Sequence, residues 1–282
     1  MKSIDKVTYW RDVQFPGIEI CRVDGSRHVF PEHAHDGIYA IGLMASGGSY
    51  CLGPEKSSSL VSPGQIALIN PNQVHSGVPV PGERISYQMV YFDMQWMAAA
   101  AAEITRQAHT IPEFACMVVG DSRLWRLLQN LCRVVRGPGG RLEKESAIMD
   151  AMVHLVAVHG NVTAQPAPLQ NSPQSIRLAK AFLSENLDRK IALEDVARAA
   201  GLSRYHFLRV FKQATGLPPH LFRTLRRIDR ARQLLRDGRA LAQTALAVGF
   251  ADQSHFTNTF RKYTGATPGQ YLAESSHRIN PP

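Results

Sequence analysis

Two segments of this sequence repeat one local design, and few folds are open to a chain that carries it twice. In the later copy a short apolar helix, Ala240 to Val248, runs into Gly249, where the backbone turns as a side chain would hinder. Asp252 stands at an N-cap position, its carboxylate placed to accept from the first free N–H groups of the next helix. That helix sets Phe256 and Phe260 on one buried stripe and turns Ser254, His255, Thr257, Asn258, Arg261 and Lys262 outward. In the earlier copy Leu193, Val196, Ala197 and Ala200 face inward, Gly201 turns the chain and Ser203 is the N-cap. The helix that follows buries Phe207, Val210 and Phe211 and is expected to expose Arg204, Tyr205, His206, Leu208, Arg209 and Lys212. Ala197 precedes Gly201, and Ala245 precedes Gly249, by the same spacing, so a small residue lets each pair of helices approach closely. The second turn is one residue longer than the first. A glycine between two helices is usually an ordinary hairpin. Two copies with basic outer faces read as paired helix-turn-helix units, whose second helices suit the DNA major groove.

These residues resemble a known family. Gly249-Phe250, Asp252-Gln253-Ser254-His255-Phe256, Phe260, Gly265, Thr267-Pro268 and Tyr271 are similar to the signature of the AraC/XylS bacterial transcription regulators. Leu193 to Ala197, Gly201-Leu202-Ser203, Tyr205-His206-Phe207 and Phe211-Lys212 are similar to that family's first helix-turn-helix. The resemblance is close over residues 173–273 and looser before them. It implies that Tyr205, Leu208 and Arg209 face bases from the first unit, and Ser254, His255, Thr257 and Asn258 from the second. Arg209 is the candidate for a bidentate bond to guanine, and Asn258 for adenine. Arg204, Lys212, Gln253, Arg261 and Lys262 are assigned to phosphates, which position the protein without reading sequence.

Charge agrees with this reading. From Gln170 onward there are 18 Lys plus Arg against 8 Asp plus Glu, while residues 1–169 hold 14 against 15. The whole net charge of +9 therefore resides in the C-terminal part, and an anionic polymer, double-stranded promoter DNA, is its expected partner. At 282 residues the chain has room for two domains, expected at 1–160 and 175–282 with a proline-bearing linker at 161–174. No apolar run is long enough to span a bilayer, and Met1 to Arg11 has no signal-peptide core, so no membrane partner and a cytoplasmic location are expected. Cys21, Cys51, Cys116 and Cys132 lack CxxC spacing and read as buried free thiols.

In the first domain Ile18 to Val23, Ile38 to Met44, Gln65 to Ile69 and Ile85 to Phe92 are short apolar or alternating runs. Turn signals such as Gly47-Gly48, Pro63-Gly64 and Pro81-Gly82 separate them, which predicts a small barrel or jelly roll. The stretch from His33-Ala34-His35 through Pro63-Gly64-Gln65 to His75 is similar to the cupin-type sensor at the head of AraC/XylS regulators. The fold class expected is thus a mainly-β cupin-like barrel with trailing helices, followed by an all-α domain with two helix-turn-helix units.

His33 and His35, two apart, would share a face if both lay on one strand, and with His75 they would offer three nitrogens to a transition metal. Metal-binding cupins place a glutamate shortly after the second histidine; Tyr39 and Ala40 stand there instead. The histidines are therefore assigned, with Tyr39, Tyr87 and Met89, to an effector pocket, or else to a barrel mouth of satisfied hydrogen bonds. A metal at His33, His35 and His75 is the lesser alternative, and no cofactor is expected. Tyr87, Met89 and Tyr91 also fit an ordinary core.

Beyond Asp93 the pattern turns helical: Met94 to Ala108, a helix opened by Asp121 and stopped at Gly137, and another ending at Gly160. This pair packs on the barrel or on a second subunit; the family resemblance implies a homodimer. Between the two helix-turn-helix units, Pro219 to Arg236 is a helix whose arginines, Arg223, Arg226, Arg227, Arg230 and Arg232, are expected at phosphates or in solvent.

The expected function is ligand-responsive, sequence-specific transcription regulation, with a small-molecule effector and, for an activator, RNA polymerase as further partners. The alternative is a metal-dependent cupin enzyme with an accessory nucleic-acid-binding domain. No Ser-His-Asp grouping, phosphate-binding glycine loop or paired carboxylate supports catalysis, and no catalytic residue is assigned.

Overall fold

Among the described residues ten strands form where short runs of alternating or apolar residues lie between turns: β1 Lys6–Arg11, β2 Ile18–Ser26, β3 Phe30–His33, β4 Ile38–Ser46, β5 Ser49–Leu52, β6 Ser58–Val61, β7 Ile66–Ile69, β8 His75–Pro79, β9 Ile85–Asp93 and β10 Val118–Val119. The computed structural model describes residues 6–52, 58–105, 107, 110–162, 173–264 and 266–276. One six-stranded sheet has the order β1-β2-β9-β4-β7-β10, and a four-stranded sheet the order β3-β8-β5-β6. Every pairing is antiparallel. The four runs expected from sequence are β2, β9, β4 and β7, the adjoining central strands of the larger sheet. Side chains alternate across each strand, so Ile41, Leu43, Val90 and Phe92 are buried on one face while Gly42, Met44, Met89 and Tyr91 face the smaller sheet.

Helices α1 Met94–Thr105, α2 Ser122–Arg136 and α3 Arg141–His154 follow, and α3 continues into a π turn, Leu155–His159, closed at Gly160. Asp121 caps α2: its Oδ1 accepts from Arg123 and Leu124 N–H at 2.9 Å each. Burial opposes the charge on this carboxyl, but the Leu124 N–H, His154 and His159 outweigh that and hold it well below the usual carboxylate range. The four cysteines are free; Cys21 and Cys132 are buried, whereas Cys116 is exposed, against the expectation of four buried thiols.

The chain divides into two units, and Gly140–Ser146 groups with the second rather than the first. Asn161 still belongs to the first, exchanging bonds of 3.0 Å with Glu113. Most of the expected linker, residues 163–172, lies outside the described residues, and its last two residues are instead helical, because Pro173 suits the first turn of α4.

Among its described residues the regular structure of the second unit is all helix: α4 Pro173–Glu185, α5 Leu193–Ala199, α6 Arg204–Thr215, α7 Pro219–Arg236, α8 Leu241–Ala247, α9 Gln253–Thr264 and α10 Pro268–Ser276. Phe207 meets Phe211, and Phe211 meets Phe222, in the first half; in the second, Phe250 meets Phe256 at a tilt, and Phe256, Phe260 and Tyr271 follow edge to face. Among the described residues no helix is long and apolar enough to cross a membrane.

Candidate nucleic-acid interface and ligand cavity

The two helix-turn-helix units close with the same hydrogen bonds. Leu202 N–H returns to Ala197 C=O and Phe250 N–H to Ala245 C=O, both at 2.9 Å, around glycines at φ +67° and +81°. A Cβ on Gly249 would in addition overlap the Leu187 carbonyl and the Arg227 guanidinium. Ser203 Oγ caps α6 through His206 N–H at 3.3 Å, and Asp252 caps α9 through His255 N–H at 2.7 Å. In each unit the phenylalanines anchor one side of the second helix, leaving the other side to polar residues.

On α9, Gln253, Ser254, Asn258, Arg261 and Lys262 are exposed and His255 and Thr257 are half-buried. On α6, Arg204, Tyr205 and Arg209 are half-buried and Lys212 is exposed. The Arg209 guanidinium lies 5.7 Å from the Tyr205 ring centre, a cation–π pair that holds both on one side of the helix. Arg204 Nε is 3.5 Å from Glu194, so it already has an ion partner. Leu208 corrects the expectation of a base contact: it is 7% exposed and packs inward beside Phe207 and Phe211. A leucine next to an apolar stripe gains more by widening it than by meeting water.

The arginines of α7 also divide. Arg226 and Arg230 are exposed, as expected. Arg223 is buried and donates to the carbonyls of Asn186, at 2.7 and 3.1 Å, Leu187 and Arg189. Arg227 donates to Leu187 C=O at 2.8 Å. Both serve the orphan carbonyls just past the C-terminus of α4, where cations are favourable. Burial pulls Arg223 down to about 9 and Arg227 to about 10, so both stay charged at neutral pH.

Between the two sheets of the first unit lies a cavity with about 670 Å³ of empty space, its open mouth included. Tyr87, Met89 and Tyr91 line it from alternate positions of β9, and His33, His35 and His75 gather at one side. The sequence brought these histidines together by a different route from the one expected: β3 ends at His33, His35 follows it, and His33 pairs directly with His75 across β3 and β8. Their ring centres are 4.2 to 5.1 Å apart, and a nitrogen of each lies within 4.8 Å of the others. Nδ1 of His33 donates to Pro31 C=O at 2.8 Å and Nδ1 of His75 to Gln73 C=O at 2.9 Å, which leaves each Nε2 as a lone-pair donor. Burial pulls His75 down to about 4, outweighing the upward pull of the Gln73 carbonyl, with His33 and His35 each adding a smaller downward pull, and burial with His33 lowers His35. Neutral imidazoles anchored in this way are suited to a transition ion. Among the described residues no carboxylate lines the cavity with them.

Tyr39 corrects a second expectation. It is fully buried, on the opposite face of β4 from Gly42 and Met44, with its hydroxyl donating to Pro112 C=O and its ring against Phe114. The alternation of β4 turns it away from the cavity. Phe30 and Cys51, which the sequence reading left out, do line it. They come from short strands that carry no alternating signal.

A helix-turn-helix domain model matches residues 196–274, and an AraC-like ligand-binding domain model matches residues 15–152. The chain is 31% identical over 238 residues to the HTH-type transcriptional regulator YbfI of Bacillus subtilis, covering 84% of this chain and 85% of that one. It is 27% identical to the thermoregulatory protein LcrF of Yersinia pestis, covering 90% and 95%. An AraC-type DNA-binding domain regulator of known structure from Chromobacterium violaceum is 30% identical over 38% of this chain and 96% of that one, with a TM-score of 0.36. The chain belongs to the AraC family of transcriptional regulators, which bind a ligand in the first unit and specific DNA with the second and are not enzymes.

Proposed function

We propose that α6 and α9 read two successive major grooves on one face of promoter DNA, and that a ligand in the cavity between the two sheets governs this binding. The observation that carries the reading is the repeat: two capped, outward-facing helices, each backed by phenylalanines, with the long helix α7 connecting the two helix-turn-helix units. Tyr205 and Arg209 from α6, with Ser254, His255, Thr257 and Asn258 from α9, are the base-reading side chains in this scheme. Arg204, Lys212, Gln253, Arg261 and Lys262 take phosphates, Arg204 by leaving Glu194. Successive grooves are roughly 34 Å apart, and an 18-residue helix is about 27 Å long, a suitable rigid spacer.

Among the described residues the cavity lining has no Lys, Arg, Asp or Glu, and two of its histidines present lone pairs. An uncharged, compact and mainly apolar effector with a hydroxyl or amine to donate would suit it. Assembly as a homodimer, engagement of RNA polymerase in activation and a cytoplasmic location complete the proposal.

The test is selection of binding sites from random duplexes by the full chain, followed by spacing variants. Two conserved boxes one helical turn apart are expected. Inserting either 5 or 10 base pairs between them should reduce affinity to that of one box. If the 10-base-pair insertion binds as well as the parent, the two helices are not a rigid pair and the reading fails.

A further inference from the structure

A second group of metal-binding side chains lies away from the cavity, where the N-terminus of α2 meets the end of α3. Asp121 Oδ2 accepts from His154 Nε2 at 2.7 Å and from His159 Nε2 at 2.9 Å. The three donor atoms lie within 4.8 Å of one another, and the two imidazoles stand edge to face with centres 6.1 Å apart.

Two features of the backbone produce this convergence. His154 and His159 are five residues apart, which on an α-helix would set them about 140° apart around the axis. The π turn at Leu155–His159 brings them onto one side instead. Neither proline nor glycine lies between Arg141 and His159 to force that turn, and such turns gather at functional sites. The carboxylate is fixed as well. Its Oδ1 is held by Arg123 and Leu124 N–H, so Oδ2 is aimed at the two rings. A ligating carboxylate oriented by hydrogen bonds of its own is the usual outer-shell arrangement of a metal site.

The present distances are close to those an ion needs. With arms of about 2.0–2.1 Å, a tetrahedral zinc ion sets its nitrogen and oxygen ligands roughly 3.3 Å apart. Parting Nε2 and Oδ2 by about half an ångström, with each neutral imidazole carrying its one proton on Nδ1 so that the Nε2 lone pair is free, makes room for it. The three side chains keep 10%, 15% and 17% of their surface exposed, so a water molecule can reach a fourth position.

We propose that Asp121, His154 and His159 bind one divalent transition ion, with Zn²⁺ the best match, as a clip between the start of α2 and the π turn. Two imidazoles and one carboxylate with an open fourth position favour zinc or cobalt over magnesium or calcium.

The full chain, stripped with a chelator, would be titrated with Co²⁺ and then with Zn²⁺. Asp121→Asn keeps the N-cap acceptor while weakening the ligand, and His159→Gln is a second variant that leaves the cap untouched. The expected result is a tetrahedral Co²⁺ absorption band that Zn²⁺ displaces, present in the parent and in His75→Ala but lost in Asp121→Asn and His159→Gln. Circular dichroism would check that each variant is folded, and Zn²⁺ should raise Tm in the parent and in His75→Ala but not in Asp121→Asn or His159→Gln. A band absent from the parent overturns the proposal. So does one that survives in both Asp121→Asn and His159→Gln, or one that disappears with His75→Ala alone.

Discussion

His75 sits opposite His33 with only 5% of its surface exposed, so its charge state is tied to folding. Its pKa is about 4 in the fold, below the ordinary histidine value of about 6.5. Between those values the unfolded chain binds a proton that the folded chain does not, so stability rises with pH across that window. The contribution is fully present above about pH 6.5 and is lost as the pH falls towards 4, amounting to on the order of 2–3 kcal/mol. Tm measured from pH 4 to pH 7.5 should therefore climb less steeply in His75→Gln than in the parent; parallel curves would contradict the assignment. At Arg209 the expectation concerns binding. Arg209→Ala should cost about 1–3 kcal/mol at the selected site and relax preference at one base pair. A binding-site selection by the variant that returns the parent motif unchanged would remove Arg209 from the base-reading set. Leu208 differs from Arg209 although it is the adjacent residue, because one helical step moves it onto the Phe207–Phe211 side.

Element by element, what was legible in the sequence followed the strength of the local pattern. The central strands β2, β9 and β4 are legible because each carries an apolar or alternating run nine residues long, and the short β7 because all four of its residues are apolar and buried. β3, β5, β6 and β8 are only four or five residues long and half exposed, so no period develops in them. Tyr39 was misplaced for the same reason: its direction depends on the register of β4, which a list of nearby polar residues does not contain. The turns, caps and buried phenylalanines of the helix-turn-helix units are legible because their spacing is local, whereas the burial of Leu208 is not. The role of α7 was not. Its arginines look alike in sequence, yet Arg223 and Arg227 point at the end of α4, about 40 residues earlier. Arg223→Ala would remove a buried cation and leave the carbonyls of Asn186 and Arg189 without that donor, and a loss of roughly 1–3 kcal/mol is expected. Urea unfolding is the measurement. Arg230→Ala, at an exposed position on the same helix, should change stability by less than about 0.5 kcal/mol. Equal effects would mean that the carbonyl contacts contribute nothing.

At the scale of the whole chain, the separation of charge sets how salt should act. The first 169 residues are close to neutral and the remainder carries the excess of 18 cations over 8 anions, so attraction to a polyanion originates in the second unit. Counterions released from DNA are counted by the cations that touch phosphate, not by the net charge of the molecule, and each contact adds about 0.9 to the slope of log K against log salt. Lys262, exposed in the last turn of α9, is assigned to one such contact. Lys262→Ala should weaken binding to all sequences alike and lower that slope by about 1. Arg126, exposed on α2 in the first unit, is the control. Arg126→Glu alters net charge by two units, twice the change made at Lys262. If only overall charge mattered, it would have the larger effect on salt dependence. If groove and phosphate contacts by α6 and α9 govern binding, Arg126→Glu leaves the slope unchanged within error and shifts affinity by no more than a long-range field screened over about 8 Å at physiological salt. Fluorescence anisotropy of a labelled duplex between 50 and 300 mM salt distinguishes the two, and a steeper response in Arg126→Glu than in Lys262→Ala would show that the assigned phosphate contacts are not made.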